Sequence, residues 1–296
     1  MIELEQLRYV RLGTRDLREA SEFATGVLGL QHVRTESGRA YFRSDYRDHT
    51  MCYVLTDSPY ASFAFDVRTP EVLERARQAV ADFGLKPRFG TESECADRRV
   101  KAFIVFEDQT GNAIEIVLRP LMSGWRYFPG RDAGVTGLQS IALRSMSADD
   151  ERLWTTVFNG RISDWVGDAC YIRIDRVHHR LSLHPSSRAG MLAVAFEVEG
   201  IDQLMQANYF LKSSQIRIKH GPGREPTSGR MFITFEGPDG MLFRFATGMT
   251  TIADDRGHLP RQFPDAPSSY CAWGSEVAIK ELAGARPLAD IEVRAP

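Results

Sequence analysis

The feature that most narrows what this chain can fold into is a long-period repeat. Gly237-Pro-Asp-Gly-Met-Leu-Phe-Arg-Phe245 reads as a tight Pro-Asp-Gly turn running into a strand. Asp108-Gln-Thr-Gly-Asn-Ala-Ile-Glu-Ile116 is its counterpart about 130 residues earlier. A duplication of this kind has to be read before any motif, because each copy shows what the other could have been. The copies differ at one chemically decisive place: four residues after the turn glycine the first carries Glu115 and the second Arg244. A carboxylate there can hold a cation, whereas a guanidinium is permanently charged and repels one.

The flanking segments repeat in the same order. Leu7-Arg-Tyr-Val-Arg-Leu12 alternates as a strand, and Gly13-Thr-Arg-Asp16 caps a helix whose apolar face runs through Leu17, Ala20, Phe23 and Val27 to a stop at Gly29. In the second copy the strand is Leu138 to Leu143, the cap Ser147 to Asp150, and the buried face Leu153, Trp154, Val157 and Phe158. Short strands follow at 50–55 and 180–183, then Ser62 to Val67 and Ala193 to Val198. Thr69-Pro70 opens the next helix of copy one, with proline at the first helical position and a stop at Gly84. Gly200-Ile-Asp202 opens its counterpart, with Leu204, Met205 and Tyr209 expected on the packed face.

These patterns divide the chain into an N-terminal module (1–123), a linker (124–135), a C-terminal module carrying the candidate pocket (136–250) and a C-terminal strap (251–296). The strap holds Tyr270, Cys271 and Trp273 among prolines, so it is expected to pack against the body, with a frayed end.

With 296 residues, a net charge of −2 and scattered basic residues, neither nucleic acid nor a membrane surface is the expected partner, and a small molecule is. Cys52, Cys95, Cys170 and Cys271 stand far apart with no Cys-x-x-Cys pair, which predicts reduced thiols. No stretch is long and apolar enough to span a bilayer and no leader pattern opens the chain, so a cytoplasmic location is expected.

Repeated βαβββ units, a Leu-Gly-Leu after the first helix and a Pro-Asp-Gly turn before the last strand resemble the vicinal oxygen chelate superfamily. The two-module length and the Ala-Pro-Ser-Ser-Tyr-Cys-Ala-Trp-Gly tail are similar to the type I extradiol dioxygenases within it. The resemblance implies an α+β fold of two tandem modules, each of paired βαβββ units curling into a half-open barrel. It also implies ring cleavage of catechol-like substrates by iron or manganese held on two histidines and a glutamate of the second module. On this sequence the ligand positions are read as Gln139, Ala193 and Arg244, so no metal is expected there. A unit charge about 4 Å from a divalent cation is repelled by on the order of 8 kcal/mol at an effective dielectric near 20. Strand parity points Arg244 into the cup while Phe243 and Phe245 pack behind it. In module one the positions partnering Glu115 are read as Arg8 and Ser62, so no metal is expected there either.

The family's remaining polar positions fall on His178 and His179, on Glu225 and on Thr234. His178 and His179, read as strand neighbours, point to opposite faces. Glu225 is either a general base or the ion-pair partner of Arg244, and Arg244 is either an anchor for an aromatic or phenolic anion or a plug. Three functions stay open. One is metal-free binding of a small aromatic molecule, with proton transfer by His179, His178 or Glu225 and with Arg244, Gln139, Ala193 and Thr234 lining the site. Another is a non-catalytic subunit or regulator, in a homo-oligomer or beside a related dioxygenase chain. The last is a working dioxygenase with iron or manganese relocated to His179, Glu225 and His220.

Overall fold

The alternating segments form strands, and their pairing makes the duplication explicit. In the computed structural model, which describes residues 1–253 and 257–284, module one contains β1 (Leu7–Thr14), β2 (Gln31–Glu36), β3 (Arg39–Arg43), β4 (Met51–Leu55), β5 (Ala61–Val67), β6 (Arg88–Phe89), β7 (Ala102–Glu107) and β8 (Ala113–Leu118). Module two contains β9 (Val135–Ser145), β10 (Arg161–Val166), β11 (Ala169–Arg173), β12 (Leu181–Pro185), β13 (Met191–Val198), β14 (Ile218–Arg224), β15 (Met231–Glu236) and β16 (Leu242–Thr247), and the tail contributes β17 (Arg261–Phe263). The sheet orders are β2-β3-β4-β1-β5-β8-β7-β6 and β14-β15-β16-β13-β9-β12-β11-β10-β17. Reading the second backwards without β17 reproduces the first. Each sheet is therefore two βαβββ units joined through an antiparallel central pair, β1 with β5 and β9 with β13.

The helices α1 (Leu17–Gly26), α2 (Pro70–Asp82), α3 (Glu92–Arg98), α4 (Ala148–Arg152), α5 (Ile201–Ser213) and α6 (Pro267–Tyr270) start where local chemistry dictates. Asp16 accepts from the backbone N–H groups of Arg18 and Glu19, and Thr69 caps α2 ahead of Pro70. Helix α3, which the repeat pattern does not predict, carries a full capping box between Thr91 and Glu94. The apolar face of α5 also differs from expectation. Leu204, Ala207 and Leu211 are buried, whereas Met205 and Tyr209 face solvent, Tyr209 at 77% exposure.

Both sheets press one face onto a single core that crosses the module boundary. Trp154 of module two stacks on Phe63 with ring centroids 6.1 Å apart and meets Phe65 edge-on, while Phe23 of module one lies 5.4 Å from Phe243. The other face of each sheet curls into a cup. The tail runs to the mouth of the second cup, pairing β17 with β10 and burying Tyr270, Cys271, Ile279 and Leu282. The expected fraying at the extreme C-terminus lies outside the described residues. All four cysteines are free thiols.

Candidate functional site

Strand parity sets which side chains enter the second cup. Phe243 and Phe245 lie in the core, and Arg244 between them enters the cup, as the alternation requires. Register adds one position in the second cup and corrects one in the first. Ser140 of β9 and Arg244 of β16 both lie opposite Ala195, while Ala193 lies opposite Ala142 and Leu242. The β9–β13 pairing shifts register between Leu138 and Ser140, so Gln139 and Ser140 both turn toward the cup while Leu138 and Ile141 pack in the core. In module one Tyr9 and Glu115 both lie opposite Ala64, so Tyr9, not Arg8, is the partner position of Glu115.

At the centre of the second cup three charges form one cluster. Glu225 accepts 2.7 Å from Arg244 Nη1, 2.6 Å from Arg230 Nη2, 3.2 Å from Arg230 Nε and 2.7 Å from the Ser228 hydroxyl. Arg244 also donates Nε to the Thr234 hydroxyl at 2.8 Å and lies over the Phe232 ring, 4.4 Å from its centroid. Arg230 spends Nη1 on the Gln139 amide oxygen and the Ser140 hydroxyl. Burial works to raise the Glu225 carboxyl, but Arg230 and Arg244 overrule it and hold it well below the usual carboxylate range. That is a fixed anion, not a base poised near neutrality. Burial, with Arg230 beside it, brings the Arg244 guanidinium down to about 10.

The histidines also depart from expectation. His178 and His179 lie in the loop between β11 and β12 rather than on a strand, and instead of facing apart they touch, Nδ1 to Nδ1, at 3.0 Å. His178 Nε2 is 2.9 Å from the Asp164 carboxylate, which Arg261 also grips. A His178 ring that donates to Asp164 accepts at Nδ1, so His179 donates and its Nε2 is left as a buried acceptor with no partner. Burial and then Arg230 depress His179 well below its ordinary value, and burial with Arg244 brings His184 and His220 to about 4. These rings are neutral and weakly basic at physiological pH.

Little space remains. The cavity bounded by Arg244, Glu225, His184, His220 and Ala193 is about 20 Å³, because Tyr270, Ile279 and Leu282 of the tail fill its mouth. That is room for about one water molecule. The groups around it are two guanidiniums, the one carboxylate that both engage, and the neutral rings of His184 and His220, so a divalent metal there would meet two fixed cations. Among the described residues no three of His, Cys, Asp and Glu lie close enough to share an ion.

Module one repeats the arrangement with the signs exchanged. Glu115, fully buried on β8, accepts from Arg98 Nε and Nη2 at 2.7 and 2.8 Å, from Tyr9 at 2.6 Å and from Ser62 at 3.0 Å. Each cup therefore has a buried Arg–Glu pair at the same β8 or β16 position. Among the described residues no tail segment covers the first cup, which is open to solvent.

The profile of the Glyoxalase/Bleomycin resistance protein/Dioxygenase superfamily matches residues 6–116 and 152–245, one stretch in each module. The chain belongs to this superfamily. An iron-dependent extradiol dioxygenase of Rhodococcus jostii (strain RHA1) is 22% identical over 226 residues, covering 69% of this chain and 75% of that protein. Among solved structures, a halotolerant catechol dioxygenase superposes with a TM-score of 0.83 at 19% identity over 95% of both chains. A Mn(II)-bound glyoxalase from Novosphingobium aromaticivorans gives 0.84 at 21% identity, covering 97% of this chain and 96% of that one. Homoprotocatechuate 2,3-dioxygenase from Arthrobacter globiformis gives 0.83 at 19% identity over 93% and 89%. The superfamily member described here is an extradiol-dioxygenase-like protein of two tandem α+β modules. No helix among its described residues is long and apolar enough to cross a membrane.

Proposed function

We propose that this protein is a metal-free relative of the extradiol dioxygenases whose C-terminal cup is non-catalytic and does not cleave rings. The observation that carries this reading is the buried Arg244–Glu225–Arg230 cluster at the centre of that cup. By family resemblance the ligand positions fall on β9, β13 and β16, and there this chain presents Ser140 beside Gln139, then Ala193 and Arg244. A cation at that place would face two guanidiniums with their one counter-charge already spent. Arg244 has donated Nε to Thr234 and Nη1 to Glu225, which also weakens its reading as an anchor for an aromatic anion. A benzene-sized guest takes a cavity of roughly 150 Å³, far above the 20 Å³ present. Proton transfer by His179, His178 or Glu225 would lack a substrate beside it.

The test is elemental analysis of protein purified with iron and manganese supplied, together with oxygen uptake on a panel of catechols. The expected result is metal far below one equivalent and no uptake above buffer. Near-stoichiometric metal with turnover overturns the proposal and restores the relocated site at His179, Glu225 and His220.

A further inference from the structure

The N-terminal cup encloses about 830 Å³ open to solvent, within the range of small-molecule sites. At its floor lies Arg11, 2% exposed, which donates Nη2 to Asp97 at 2.7 Å. Its Nε and Nη1 have no hydrogen-bond partner. Buried donors are almost always satisfied, so a guanidinium with two of its three nitrogens unspent calls for an acceptor.

Of the five carboxylates that line the cup, Glu94, Asp97, Asp108 and Glu115 are engaged by other partners, and Glu107 stands on the wall without bonding Arg11. Glu115 is saturated by Arg98, Tyr9 and Ser62. Glu94 receives both terminal nitrogens of Arg88, at 2.8 Å each. Asp97 accepts from Tyr41 and Arg11 and lies 3.4 Å from Arg39 Nε. Lys86 adds positive charge at the rim, and the wall beside these charges is apolar, formed by Val54, Leu85 and Val105. Arg11 also distinguishes the two cups. It pairs with Ser62 as Ala142 pairs with Ala193, so the second cup carries alanine where the first carries the cation.

We propose that the N-terminal cup binds a small organic carboxylate, with the anion on Arg11 and the apolar body against Val54, Leu85 and Val105. The free donors favour an anion, and the wall favours one with a hydrocarbon body over a bare inorganic ion. This inference does not depend on the metal content of the other cup, and the two experiments fail separately.

Full-length protein is titrated calorimetrically with sodium benzoate, inorganic phosphate and benzyl alcohol. Wild type is compared with Arg11→Met and with Val54→Trp. Arg11→Met also deprives Asp97 of a partner, so loss of binding in that variant alone could reflect folding. Val54→Trp fills a half-buried wall position opposite Arg39 and removes no member of an ion pair, and melting curves verify that it folds. The expected result is one saturable benzoate site, weakened at least tenfold in each variant, with phosphate and benzyl alcohol at least tenfold weaker in wild type. No saturable benzoate binding, or binding unchanged in folded Val54→Trp, overturns the proposal. Phosphate binding equal to benzoate overturns the organic body as part of the recognition.

Discussion

Glu225→Gln tests the closed cup most directly. The substitution keeps the shape of the side chain and removes the only carboxylate that Arg230 and Arg244 share. Both guanidiniums then sit buried, at 3% and 7% residue exposure, without a counter-charge. Removing one partner of a buried pair costs about 3–5 kcal/mol because the remaining charge keeps its desolvation penalty. With a urea slope of about 3 kcal/mol per molar, the unfolding midpoint falls by roughly 1–1.7 M. Fluorescence of Trp154 and Trp165, both in module two, reads the transition. Arg244→Met is the internal control: Glu225 keeps Arg230, so this variant is expected to cost less than about 2 kcal/mol. Acid adds a second signature. The folded Glu225 carboxyl is depressed below its ordinary value of 4.5, so its contribution is present above that value and is lost as pH falls below it. Wild type therefore loses stability progressively below pH 4.5, and Glu225→Gln loses less over the same range. A Glu225→Gln protein as stable as wild type, or an Arg244→Met cost exceeding that of Glu225→Gln, refutes the closed-cup argument.

Two further outcomes are expected. Burial, reinforced by Asp150, raises the Asp108 carboxyl from 3.8 to about 6, so the folded state binds the extra proton and stability falls as pH rises from about 4 to 6. A shift of that size is worth on the order of 2–3 kcal/mol; urea midpoints measured at pH 4.5 and 7 read it, and a flat profile contradicts it. On α5, Leu211→Ala should cost about 2–5 kcal/mol while Tyr209→Ser changes stability by less than about 0.5 kcal/mol, compared in the same melts, since Leu211 is buried and Tyr209 exposed.

Much of the fold was legible because its signals are local. Asp16 and Thr69 cap helices within three residues, and turn glycines and two-residue alternation place the strands on which Arg244 and Glu115 ride. What escaped were features whose partners are remote or whose register shifts. The shift in β9–β13 pairing brings Ser140 into the cup beside Gln139, which strict two-residue alternation does not predict. His178 and His179 lie in a loop between two strands, where strand alternation does not set side-chain direction. Arg230 went unnoticed altogether: its partners are 5 residues away at Glu225 and 90 or 91 away at Ser140 and Gln139. The one local hint was an arginine following Gly229 just ahead of β15.

The sequence by itself determined the duplication, the α+β modules and the entry of Arg244 into the cup, because repeat order and side-chain parity are properties of neighbouring residues. The tertiary structure decided which cup is a site. It sets Glu225 between two arginines, carries Tyr270, Ile279 and Leu282 across the second mouth, and leaves the first cup open above Arg11. A cavity is the space left between elements far apart in the chain, and its occupancy depends on where the tail lands and which buried charges find partners.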